Sequence, residues 1–157
     1  MARIVCGGQT GADRAALDYA ILAGIPYGGW CPRDGWAEDR PAFPGLLADY
    51  PALIATPSAD PAQRTEWNAR DSDITAILVP SRGFAASPGT TLTEEAARRA
   101  GKPVRVFDVS DPAAVTDFRD WVRLQPEPPT LNIAGPRESE APGLQARVLA
   151  FLVRALG

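Results

Sequence analysis

A short apolar run, Ile4-Val5-Cys6, stops at two adjacent glycines, Gly7 and Gly8, and a third, Gly11, comes just before a helical pattern begins. This order of residues reads as a strand, a tight turn and a helix start. Such a junction directs unpaired backbone N–H groups and the positive end of a helix dipole at one point. An anion bound there needs no side-chain cation. The bland reading is a tight β–α turn, with Thr10 and Asp13 serving only as a helix cap.

The rest of the chain repeats the same alternation. Strands are expected over 3–6, 25–30, 53–55, 75–79, 104–107 and 131–134. Helices are expected from Thr10 or Gly11 to Ala23, from Pro61 to Ser72, from Leu92 to Ala100, from Asp111-Pro112 to Leu124, and from Gly143 to Leu156. Asp60-Pro61-Ala62-Gln63 and Thr91-x-x-Glu94 both read as capping boxes, and Gly24 and Gly101 as helix stops. Thr75–Val79 is continuously apolar but for its first residue, as suits the middle of a parallel sheet. The expected fold is α/β, a three-layer Rossmann-like domain with a mostly parallel sheet flanked by helices. A chain of 157 residues with no linker is one domain, 1–157. Ligands of such sheets sit beyond the carboxyl ends of the strands. That rule picks out the loops after Cys6, Trp30, Val79 and Ala134.

Composition narrows the chemistry. There is no histidine, so Ser-His and Cys-His nucleophiles and His-ligated metal sites are excluded, and any acid–base chemistry falls to carboxylates. Cys6 and Cys31 form no CxxC spacing; Cys6, which closes an expected buried strand, reads as a small core residue, and no disulfide is expected. No metal site is expected. A net charge of −3 argues against a nucleic-acid partner. No apolar run approaches the roughly 20 residues of a membrane span, and the expected location is cytoplasmic. All basic residues except Lys102 are arginines, whose planar forks suit phosphates and carboxylates.

The candidate ligand residues gather at those loops. Gly7, Gly8, Gln9, Thr10 and Gly11 form the first anion nest. Cys6 stands where the dinucleotide fingerprint needs its first glycine, and Trp30 stands where that fingerprint needs an acid. No Gly-Lys-Ser/Thr follows, so the stretch is not a nucleoside-triphosphate P-loop either. Arg14 and Asp18 pair on a helix surface or serve the site. Residues 31–50, with Trp30 before them, read as a solvated excursion or as an aromatic lid over a flat heterocycle. Arg64, Asn68 and Asp71 form a polar helical stripe, beside a separate Glu66–Arg70 pair. Gly89, Thr90 and Thr91 offer a second nest. Asn132, inside an apolar strand, and Arg137, after Gly135-Pro136, complete the set. The catalytic candidates are Asp13, Glu94 and Glu95.

The pieces GGQTGADRAALD, GGWCP followed by AED, TPSADPAQRTEWNARDSD, GTTLTEEAARRAGKP and LNIAGPRESEAPG span nearly the whole chain. On them, the sequence resembles the molybdenum cofactor carrier family. That family lies within a wider Rossmann-like group that includes the lysine-decarboxylase-like "Lonely guy" phosphoribohydrolases and DNA-processing protein A. The resemblance implies a homo-oligomer, a dimer or tetramer, binding a small phosphorylated molecule. The implied ligands are the molybdenum cofactor (molybdopterin), molybdate or a nucleotide, with Gly7–Gly11 and Gly89-Thr90-Thr91 forming the anion pocket. The alternative is a nucleotide hydrolase acting on a nucleoside monophosphate. Against it, Pro88-Gly89-Thr90-Thr91 lacks two glycines of the phosphoribohydrolases' PGGxGTxxE motif.

Overall fold

The computed structural model describes residues 1–157 and contains one six-stranded sheet. Its strands are β1 (Arg3–Val5), β2 (Tyr27–Cys31), β3 (Leu53–Ala55), β4 (Ile74–Val79), β5 (Val104–Asp108) and β6 (Thr130–Ala134). Its helices are α1 (Ala12–Ala23), α2 (Leu46–Asp49), α3 (Pro61–Arg70), α4 (Pro88–Arg99), α5 (Ala114–Arg123) and α6 (Leu144–Leu156). The strand order is β3-β2-β1-β6-β4-β5, and every neighbouring pair is parallel. The chain is therefore an α/β protein of the three-layer, Rossmann-like kind. α1, α5 and α6 pack together on one face, and α3 and α4 on the other.

Side chains alternate between these two faces along each strand. Ile4, Ile74, Leu78, Leu131 and Ile133 point toward α1, α5 and α6 and join a cluster of 21 buried residues. Phe118 is its hub, with ring centroids 5.1 Å from Phe107 and 5.4 Å from Phe151. Thr75 and Asn132, paired across β4 and β6, belong to the opposite face, where Asn132 Nδ2 donates to Thr75 Oγ1 at 3.2 Å. That bond satisfies part of a buried amide that would otherwise cost stability.

Local signals place most helix ends. Gly24, in the left-handed region, ends α1 with its N–H on the Ala20 and Ile21 carbonyls. Asp60 caps α3 by accepting from the Ala62 N–H, with Pro61 as first residue. α4 departs from the expected start. Ser87 is its cap, accepting from the Thr90 N–H, and Pro88 is its first residue. The Thr91 N–H is already bonded to the Ser87 carbonyl, so Thr91 is not a cap and Gly89-Thr90-Thr91 lies inside the first turns. Glu94 pairs instead with Arg98, one turn on.

Residues 31–50 are neither a solvated excursion nor a lid. They contain a short 3-10 turn at Arg33–Gly35 and the helix α2, and they pack down through Cys31, Ala37, Leu46 and Tyr50 onto Cys6, Leu17 and Leu53. Both cysteines are free, buried thiols. Arg14 does not pair with Asp18. It makes a bidentate bond to Asp39 at 2.8 and 2.9 Å, while Asp18 accepts from the Tyr50 hydroxyl. The expected Glu66–Arg70 pair gives way to Arg70 on Asp71, its chain neighbour. No helix is long and apolar enough to cross a membrane.

Candidate functional site

A cavity of about 220 Å³ opens at the carboxyl ends of β1, β4 and β6, between α3 and α4. Of the residues the sequence singled out, Gly7, Gln9, Asp13, Arg64, Asn68, Gly89, Thr90, Asn132 and Arg137 line it. Gly8, Thr10, Gly11, Arg14, Trp30, Thr91, Glu94 and Glu95 do not. Thr65, Thr93 and Glu140 line it without having been anticipated. Helical spacing carried a signal for two of them. Thr65 sits between Arg64 and Asn68 on one face of α3, and Thr93 lies one turn beyond Gly89 and Thr90.

Arg64 is the more buried of the two cations that line this cavity. It leaves the first turn of α3 and lies across Gly7, where any Cβ would collide with it. Its Nη1 donates to the Gly7 carbonyl at 3.2 Å and stands 3.8 Å from Asp13 Oδ2. Its Nε reaches Thr65 Oγ1, and its Nη2 has no partner in the protein. Asn68 positions the helix that carries it. The Asn68 amide accepts from the Trp30 N–H at 2.7 Å and donates to the Trp30 carbonyl at 2.9 Å, as a neighbouring strand would. Both ends of that amide are thus engaged. The Trp30 indole packs edge-on against Trp67 and donates to Asp71, so Trp30 serves this same junction rather than covering a ligand.

The glycine loop spends only part of its N–H groups on its own frame: those of Gly7, Gly8 and Gln9 meet no backbone carbonyl, and those of Gly7 and Gln9 pull on the Asp13 carboxylate instead. Its N–H groups at Thr10, Gly11 and Ala12 are taken by Gln9 Oε1, Gln145 Oε1 and the Pro136 carbonyl. Arg14, buried beneath, holds the Gly8 carbonyl with Nε and Nη2 at 3.2 and 3.1 Å. The Thr10 hydroxyl donates to Glu38, which also receives the Ser139 N–H and hydroxyl. These bonds, the Thr10 one foremost, hold the Glu38 carboxyl below its ordinary value. Gln9 Oε1 also accepts from the Glu38 N–H, leaving the Gln9 amide nitrogen without a protein partner. The loop is a rigid frame, and what it delivers to the cavity is Gly7, Gln9 and the side chain of Asp13.

Asp13 is the cavity's unusual group. Its side chain is 8% exposed. Burial pushes its carboxyl up from 3.8 to about 6, against the opposing pull of Arg64, of the backbone N–H groups of Gln9 and Gly7, and of Arg14. A buried carboxylate with so incomplete a partner costs folding stability, and perturbed groups of this kind cluster at functional sites. Arg137 stands at the mouth, bonded to Glu140 at 3.1 Å and 3.9 Å from Glu38. On the α4 side, Ser87 covers the Thr90 N–H, while the Gly89 N–H has no partner. Cys6 stays outside the cavity. Its thiol is pushed up by burial and donates to the Asp13 carbonyl.

Fold and site together define a Rossmann-like α/β protein with a polar cleft at the carboxyl end of a parallel sheet. Residues 4–156 match the model of the circularly permutated YpsA SLOG family, and the chain belongs to that family. It is 35% identical to the crystal structure of the "putative molybdenum carrier protein" from Syntrophus aciditrophicus SB. The match has a TM-score of 0.83 and covers 100% of this chain and 96% of that one. Comparison with curated proteins gives no match.

Proposed function

We propose that this protein is a small-molecule carrier that holds the phosphate or oxyanion end of its ligand against Arg64. The observation that carries this reading is the Arg64 guanidinium laid across Gly7, with Nη2 free in a cavity that also offers the unpartnered Gln9 amide nitrogen and Gly89 N–H. Each is a donor, and a guanidinium is the fork best matched to phosphate. The name of the Syntrophus aciditrophicus neighbour supports a molybdenum-related cargo. The molybdenum cofactor is a pterin bearing a phosphate and a molybdenum oxo centre, and donors of this kind suit either anionic group. At about 220 Å³, the cavity is below the roughly 300–1,000 Å³ usual for organic ligands. It therefore takes the anionic end and its neighbouring atoms, with the remainder lying outward past Arg137 and Glu140.

A second reading has its own observation. Asp13, near half-protonated at about pH 6, is the one catalytic candidate inside the cavity, and such a group suits general-acid cleavage of a nucleotide. One set of measurements separates the two. Isothermal calorimetry with a pterin monophosphate and AMP is expected to give one site per chain. Arg64→Gln is expected to weaken binding about 10- to 100-fold, the scale of a hydrogen bond to a charged group. Parallel incubations are expected to release no base or ribose phosphate. Release from AMP would favour the hydrolase, and absence of heat with every anion would remove the carrier.

A further inference from the structure

The cleft that presents Arg64 also presents a carboxylate. Asp13 Oδ2 lies 3.8 Å from Arg64 Nη1, and the Asp13 side chain is more than nine-tenths buried within the cavity wall. An ionised carboxylate only accepts hydrogen bonds. Facing a fully deprotonated oxyanion, it sets acceptor against acceptor and like charge against like charge. Facing an anion that keeps one O–H, it accepts that hydrogen while Arg64 donates to another oxygen. We propose that Asp13 is a specificity-determining residue that selects anions carrying a hydrogen-bond donor, such as hydrogenphosphate, over anions that carry none, such as sulfate and molybdate. This rests on reading the cleft as an anion site, and it deepens that reading by naming the ligand class: hydrogenphosphate, or a phosphate monoester in its singly protonated form. Free molybdate is then a poor ligand at neutral pH.

The selectivity has a built-in pH dependence. Once protonated, Asp13 becomes a donor and its repulsion disappears, so a donor-free anion binds with uptake of one proton. The charged and titratable groups facing Asp13 are Arg64 from α3, Arg14 from α1 and the Cys6 thiol at the end of β1, with Arg137 and Glu140 at the mouth. Burial pushes the Cys6 thiol up and keeps it neutral, and the same burial brings the Asp13 carboxyl up to about 6. With its value near 6, sulfate affinity falls about tenfold per pH unit above that point.

The test is calorimetric titration of the full chain with inorganic phosphate, sodium sulfate and sodium molybdate at about pH 8, and with phosphate and sulfate at about pH 5. At the higher pH, wild type is expected to prefer phosphate to sulfate and to molybdate by about tenfold or more, the scale of one hydrogen bond to a charged group. At the lower pH the phosphate preference shrinks toward unity. Sulfate binding near neutrality is accompanied by uptake of one proton, read from buffers of different ionisation enthalpy. Asp13→Asn is expected to show little preference at either pH, its fold checked by a melting curve. The wild-type pH series tests the same idea without any variant. Equal affinities in wild type at the higher pH, or a preference that survives in Asp13→Asn, overturns the selectivity while leaving an anion site in place. No binding of any of these anions overturns the site reading itself.

Discussion

The two faces of the sheet are built from different materials. Toward α1, α5 and α6 the strands present Ile4, Ile74, Leu78, Leu131 and Ile133, and Phe118, Val148, Phe151 and Leu152 fill the space behind them. Toward α3 and α4 they present Gly7, Thr75, Ile77 and Asn132, and the buried apolar cluster of that layer is Ala69, Ala96 and Ala97. The first face buries large aliphatic and aromatic area, which drives folding. The second uses small residues and hydrogen bonds and leaves a cavity, at whose rim the first turn of α1 sets one buried carboxylate, Asp13. The difference teaches where this fold concentrates its stability and where it accepts a cost. Residues that hold the chain together and residues that could hold a ligand are separated by the thickness of one sheet.

That comparison can be broken most directly at its apolar end. Phe118→Ala is expected to cost about 3–5 kcal/mol in denaturant unfolding, as a fully buried aromatic does. Anion affinity measured on the fraction that remains folded should not change. A loss below about 1 kcal/mol would show that the apolar face is not the main source of stability.

The carboxylate that lines the cavity should behave in the opposite sense. The folded-state value of Asp13 is raised from 3.8 to about 6, so the native state holds this proton more tightly than the unfolded chain does. The associated stability is fully present below about pH 4 and is lost as pH rises through about 6. Asp13→Asn is therefore expected to be more stable than wild type above about pH 7, by about 3 kcal/mol at most, with the difference fading toward pH 4. Thermal melts of both proteins across that range are the check. A variant less stable at every pH would mean that the Asp13 carboxylate holds the fold together rather than burdening it.

The smallest effect tests position alone. Gly7→Ala keeps Arg64 but puts a methyl group where its guanidinium lies. Stability is expected to change by no more than about 1 kcal/mol, while anion affinity falls about tenfold because the fork is displaced. Unchanged affinity would separate Arg64 from ligand binding.

Much of this was legible in the residues. The β–α alternation, the apolar run of β4, the cap at Asp60 and the stop at Gly24 are local patterns, and each formed close to where its pattern stands. The start of α4 was not, because Ser87-Pro88 and Thr91-x-x-Glu94 are competing local signals. The proline at the first helical position and the bonded Thr91 N–H settle it in favour of Ser87. Residues 31–50 carry charge and proline enough to resemble a solvated loop. Their anchors, Asp39 on Arg14 and Glu38 on Thr10, are contacts across 25 and 28 positions that no periodicity encodes.

The sequence alone therefore determined the parallel α/β architecture and the end of the sheet at which a site would form, because period, caps and glycines act over a few residues. It also named Asp13, Arg64, Asn132 and Gly7 separately. Only the tertiary structure decided that Arg64 crosses Gly7, 57 positions away, and that the Thr10 and Gly11 N–H groups of the glycine loop are spent on its own frame. It also decided that Asp13 lies buried beside that arginine. Burial and proximity set the charge state of such a site, and both arise only when distant segments share one low-dielectric space.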